Sequence, residues 1–160
     1  MGTNLESKRP RALETILWGG VAVAVLDIAN AMTFWWVYSG ATPQTILQSI
    51  AAGILGPDAF AGGAATAWLG AFLHFFISCG IAAVFYIACL RWPILFKRPA
   101  TYGAIYGAIV YLVMTHVVVP LSQATPVPFI PAWFAASLIG HIVLVGLPVT
   151  FIARWSASRS

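Results

Sequence analysis

The chain has 160 residues, 61% of them apolar and 8% charged, against roughly 45–50% and roughly 25% in soluble domains. That balance excludes a water-soluble globule and an intrinsically disordered chain. The net charge of +4, carried by only eight Lys and Arg, is too thin for a nucleic-acid groove. What remains is an integral membrane protein of about one domain.

Lys8, Arg9 and Arg11 precede the first predicted span, residues 15–38. This stretch competes with a secretory signal, in which Ala29-Asn30-Ala31 would be a small-x-small cleavage site. Against that reading, the apolar run continues through Met32-Thr33-Phe34-Trp35-Trp36-Val37, and Asp27 sits where a signal core is featureless. Intact mass would separate the two, because cleavage removes the first 31 residues.

Residues 43–55 predict a short amphipathic helix. Thr42 can cap it, Pro43 suits its first position, and Ile46, Leu47, Ile50, Ile54 and Leu55 recur on one face opposite Gln44, Gln48 and Ser49. Such a helix lies on a membrane surface, or serves as a lid or re-entrant segment over a cavity. Gly56-Pro57 ends it. Three further spans follow at 64–90, 101–121 and 132–155, the last two joined by a linker stiffened by Pro126, Pro128 and Pro131. Runs such as Val117-Val118-Val119 do not alternate, which excludes a β-barrel. The fold class is therefore all-α: a four-span transmembrane helix bundle in a single domain, residues 1–160, with a surface helix in the first outer loop.

All eight Lys and Arg fall before the first span, between the second and third, or after the fourth. Retention of Lys and Arg on the cytoplasmic side then assigns both termini to the cytoplasm. Trp35, Trp36, Tyr38, Trp68 and Trp133 would line the outer headgroup level, and Trp18, Trp92, Tyr102 and Trp155 the inner one. Cys79 and Cys89 lie ten residues apart on one predicted helix, too far for a disulfide, and read as small core residues.

Ionisable groups in hydrocarbon mark candidate sites. Asp27 lies on the first span with Asn30 a turn beyond, and His74, His116 and His141 lie one on each of the others. At roughly 1.5 Å of rise per residue, all five fall in the outer half, with His74 and His141 each about 13 Å below the outer surface. Small residues flank them: Gly20, Ala24, Asp27 and Ala31 share one face, and Ala67, Gly70, Ala71, His74, Ser78 and Ala82 another. Gly103 and Gly107 form a GxxxG pair about 180° from His116, a second candidate contact face through which a homo-oligomer or a larger membrane complex could form. Pro120 and Pro148 free the carbonyls of His116 and Leu144, either as plain kinks or as part of a polar cavity.

Leu73-His74-Phe75-Phe76-Ile77, Thr115-His116-Val117-Val118-Val119-Pro120-Leu121 and Gly140-His141-Ile142-Val143, each in a successive apolar span, resemble the YagU-like group of small bacterial inner-membrane proteins. The likeness covers the last three spans and implies a multi-span inner-membrane protein with histidines in those spans. It supplies no reaction.

The chemistry open to this set is a ligand or proton site. His74, His116 and His141 could hold zinc or copper, or two of them a b-type haem iron, with Asp27 or Asn30 as charge partner. His and Asp on facing helices are equally the parts of a proton relay. The alternative is an accessory or assembly subunit whose polar cluster pins the helices in register. No CxxC, phosphate loop, HExxH or GxSxG motif points to an enzyme.

Overall fold

The computed structural model describes residues 9–125 and 128–159, so Lys8, Pro126 and Val127 lie outside the described residues. Among the described residues six helices follow in order: α1 (Glu14–Ser39), α2 (Pro43–Leu55), α3 (Gly63–Arg91), α4 (Ile94–Lys97), α5 (Pro99–Leu121) and α6 (Pro131–Ser158). A short 3-10 turn, Gly56–Ala61, joins α2 to α3. Four of these helices, α1, α3, α5 and α6, are long and apolar enough to cross a membrane. At roughly 1.5 Å per residue each exceeds the roughly 30 Å of a hydrocarbon core. The predicted spans fall inside them.

Strong local signals set the helix boundaries. Gly40 adopts φ 70° and closes α1 with its N–H on the Trp36 carbonyl at 2.9 Å, a conformation glycine takes without steric cost. Thr42 Oγ1 accepts from Thr45 N at 3.2 Å and caps α2, with Pro43 in the first position.

The two prolines that lie past the first turn of a span leave a common signature. Each is preceded by a π turn, Met114–Val118 before Pro120 and His141–Gly146 before Pro148. In both, the residue just before the proline donates five residues back, Val119 to the Met114 carbonyl and Leu147 to the Ile142 carbonyl. A wider turn relieves the clash between a proline ring and the carbonyl four residues earlier without breaking the helix. The expected loss of an α-helical donor is thus absorbed as local widening, and His116 and His141 each sit inside one of these turns.

In cross-section α1 and α6 are central, with α3 packed on α1 and α5 on α6. The close approaches are made by glycine. Gly103 and Gly107 of α5 lie against Gly146, Thr150 and the His141–Ile142 main chain of α6, leaving no room for a Cβ. Gly20 of α1 lies against Cys79 of α3 in the same way. The GxxxG face of α5 is therefore filled within the chain and is not free as an oligomer face. Both glycines are buried while His116 is exposed, so of the two opposite faces of α5 only one is covered.

One end of the bundle gathers residues 9–13, the last turn of α6 and the α3–α5 connection, and with them all seven described Lys and Arg. There Arg11 pairs with Glu14, Arg154 Nη1 donates to the Lys97 carbonyl at 2.7 Å, and Arg11 N donates to Ser156 Oγ at 2.6 Å. Just inside lies the core of Val23, Ala82, Phe85, Cys89, Phe96, Val110, Val145 and Val149. Trp18, Trp92 and Trp155 are exposed around this basic end.

The opposite end carries α2, which differs from expectation in the face it seats. Ile46, Gln48, Ala51 and Ala52 are buried against α3, whereas Ile54 and Leu55 of the predicted apolar stripe are exposed. Close packing decides this. Gly70 of α3 touches the Leu47 main chain, and only small α2 residues permit that approach. Gln48 then becomes a buried donor, with Nε2 3.0 Å from the Gly63 carbonyl and 3.3 Å from Thr66 Oγ1. α2 is thus one arm of a hairpin on the first turns of α3, pinned at its far end by Gln123 N donating to the Gly53 carbonyl at 2.9 Å.

Candidate functional site

The face of α1 carrying Gly20, Ala24, Asp27 and Ala31 meets both neighbouring helices. From α3, His74 Nε2 lies 3.0 Å from the Ala24 carbonyl. A carbonyl can only accept, so Nε2 carries the proton and Nδ1 of the neutral ring is the basic nitrogen. Ser78 Oγ in turn donates to the His74 carbonyl at 2.7 Å. One turn along α1, on the α6 side, Asp27 Oδ1 stands 3.9 Å from His141 Nδ1. That same Nδ1 is 2.8 Å from the Ser137 carbonyl. The ring is therefore held as the Nδ1–H tautomer, with Nε2 as the proton-accepting nitrogen. Both side chains are largely enclosed, with 15% of the His141 side chain and 22% of the Asp27 side chain exposed.

Asn30 completes the track. A Cβ at Gly140 would stand 2.5 Å from Asn30 Nδ2, so glycine is what lets the amide lie against α6 beside His141. Tyr111 of α5 walls the site, its ring edge-on to His141 at 5.5 Å and to Phe134 at 5.9 Å. Toward the α2 end, Phe34, Trp35, Tyr38 and Trp133 pack ring against ring above Asn30. Toward the basic end, Val23, Val145 and Val149 are closely packed and almost fully buried. The polar track therefore stops near the middle of α1.

The structure brings together four of the five predicted residues along α1: Asp27 with His141, Asn30 beside Gly140, and His74 on Ala24 one turn away. His116 stands apart. It is exposed on α5, on a stretch from Met114 to Leu121 that buries no residue. Among the described residues no group of three or more His, Cys, Asp or Glu is arranged to hold a metal ion. The three-histidine set His74, His116 and His141 is thus not assembled within one chain. The physical reason is that α5 turns its glycine face to α6, which carries His116 away from His141.

Sequence reasoning passed over Tyr111. Its signal was present, since Gly103, Gly107 and Tyr111 recur at four-residue spacing and share the face that meets α6. The Ala24 carbonyl left no sequence trace, because main-chain acceptors are common to every residue. Comparison with family models, curated proteins and solved structures finds no match to this chain.

Proposed function

We propose that this chain is a bacterial inner-membrane protein, its termini in the cytoplasm, whose α1–α6 interface holds a proton-exchanging Asp27–His141 site in the outer half of the membrane. The observation that carries this reading is the 3.9 Å approach of Asp27 Oδ1 to His141 Nδ1 inside a membrane-spanning bundle. Ionisable pairs in that setting mark proton or ion handling. The gathering of the described Lys and Arg at one end supports the orientation, and the likeness of the last three spans to the YagU-like group supports the type of membrane.

The chemistry is a two-group exchange. A proton arriving at His141 Nε2 makes an imidazolium, whose charge the Asp27 carboxylate balances. The Nδ1 proton, released from the Ser137 carbonyl, then passes to Asp27 once the 3.9 Å gap closes to hydrogen-bond reach, leaving neutral His141 protonated on Nε2 and a neutral carboxylic acid. Val23, Val145 and Val149 block onward passage to the basic end, so the site exchanges protons with one side and does not conduct them across.

Infrared difference spectra of the protein in bilayers, taken between about pH 4 and 9, test this. A carboxylic C=O band that titrates, is absent in Asp27→Asn and shifts in His141→Gln is expected, with no proton leak in sealed vesicles. If no titrating band belongs to Asp27, the relay is overturned. The pair then serves as a pin holding α1 against α6 in an accessory or assembly subunit, a reading favoured by the glycine contact of Gly140 on Asn30.

A further inference from the structure

Three sides of the bundle are closed by helix on helix: α3 on α1, α1 on α6 and α6 on α5. The fourth side, between α3 and α5, is bridged instead by one side chain. Tyr106 of α5 packs its ring on Phe85 at 4.9 Å and donates its hydroxyl to the Ile81 carbonyl at 2.6 Å. Around that bridge lies an apolar groove of about 260 Å3, walled by Gly80, Ile81 and Val84 of α3 and by Tyr106, Ile109 and Val113 of α5. A Cβ on Gly80 would meet nothing within 4 Å, so the α3 wall is recessed there.

Topology fixes what stands at the basic end of this groove. Residues 92–98 join its two walls, with Arg91 closing α3 on one side and Lys97 and Arg98 leading into α5 on the other. Phe96 is fully buried and anchors the connection in the core, and Arg154 of α6 steadies it by donating to the Lys97 carbonyl at 2.7 Å. Arg91 and Arg98 are exposed and Lys97 is half-buried. No described acid balances them. Glu14 is paired with Arg11, Asp27 stands by His141, and Asp58 lies in the turn at the opposite end.

Depth agrees with charge. Val84 is seven residues from Arg91 and Tyr106 eight from Arg98, so the groove begins roughly 10–12 Å along the helices from the cations. Half of a hydrocarbon core is about 15 Å. A single lipid of the leaflet on the basic side therefore reaches from the cations into the groove.

We infer that the α3–α5 side of the bundle binds one anionic phospholipid, its phosphate held by Arg91, Lys97 and Arg98 and an acyl chain laid in the groove. Charge selects this occupant. Three cations with no acid among them leave a surplus that a net-negative headgroup balances, whereas a zwitterionic lipid brings its own ammonium; basic pockets between spanning helices hold such headgroups. A second copy threaded alike would bring its own basic end to the same depth and enlarge the surplus. A free phosphate would not reach the groove. The site shares no residue with Asp27 and His141, and it stands whichever way the chain is threaded.

Native mass spectrometry of the full-length protein, released from detergent after titration with phosphatidylglycerol or phosphatidylcholine, tests the assignment. One phosphatidylglycerol per chain is expected, held about 10-fold or more tighter than phosphatidylcholine. Lys97→Gln combined with Arg98→Gln is expected to weaken it by about 10- to 30-fold, and Lys97→Arg combined with Arg98→Lys to retain it. Gly80→Phe keeps every charge and fills the groove, and is expected to weaken binding by about 5-fold or more. Ile139→Phe, on an exposed face of α6, is expected to leave binding unchanged. Inorganic phosphate in large excess is expected not to displace the lipid. Equal affinity for the two lipids, unchanged binding in Lys97→Gln with Arg98→Gln or in Gly80→Phe, or displacement by inorganic phosphate would each overturn the inference.

Discussion

Near the basic end Phe85, Phe96, Cys89, Val145 and Val149 are all but fully buried, and the fully buried polar residues beside them, Thr15, Thr150 and Ser156, are hydrogen-bonded. Near the α2 end the helices meet through carbonyls, a carboxylate, an amide and two imidazoles, and the last turns of α5 bury nothing. The first half supplies the packing that holds the bundle together, which frees the second to carry groups that membranes otherwise exclude. Polar chemistry is therefore concentrated away from the apolar core.

The contrast can be broken most severely in the packed half. Phe85→Ala is expected to cost about 3–5 kcal/mol, whereas Phe76→Ala, on a side chain 67% exposed, changes stability by about 0.5 kcal/mol or less. Thermal unfolding in detergent followed by circular dichroism compares the two. A smaller but sharper effect belongs to the glycine seam. Gly107→Leu drives side-chain atoms into the His141–Ile142 main chain, for about 1–3 kcal/mol, and also displaces the turn that positions the His141 ring. Nitrogen-15 spectra of labelled histidine would report that displacement, since wild type is expected to show His141 protonated on Nδ1 and His74 protonated on Nε2. Equal tautomers at the two positions would contradict the hydrogen bonds described here. At the α2 hairpin, Gln48→Leu removes the Nε2 donor from the Gly63 carbonyl and from Thr66 Oγ1, an expected loss of about 1–2 kcal/mol. The mildest change is Thr150→Val, expected to cost about 1 kcal/mol through the lost hydrogen bond to the Pro99 carbonyl, with the histidine spectra unchanged.

Span positions, the basic end and the capped helix at 43–55 were legible because each rests on a property of single residues or of local spacing: length of apolar run, placement of Lys and Arg, Thr42 before Pro43. What the sequence left open concerns which face of a helix meets which neighbour. In lipid every face of a span is apolar, so hydrophobic periodicity no longer reports burial. Glycine spacing took its place for α5 and α6. It did not say that α6, rather than a second chain, would fill the Gly103 and Gly107 face. Gln48 illustrates the same point from the other side. Its polarity predicted exposure, yet the small residues Ala51 and Ala52 beside it and Gly70 opposite drew it inward, where main-chain carbonyls satisfied it.

Asp27 and His141 are separated by 114 positions, and that spacing bears on biogenesis. Synthesis at about 5–20 residues per second places the histidine on the ribosome some 6–23 s after the aspartate. For that interval the nascent first hairpin holds an acid whose eventual neighbour has not been made. The insertion machinery must shelter the growing chain, or α1 must linger at the interface, until α6 arrives to complete the centre of the bundle.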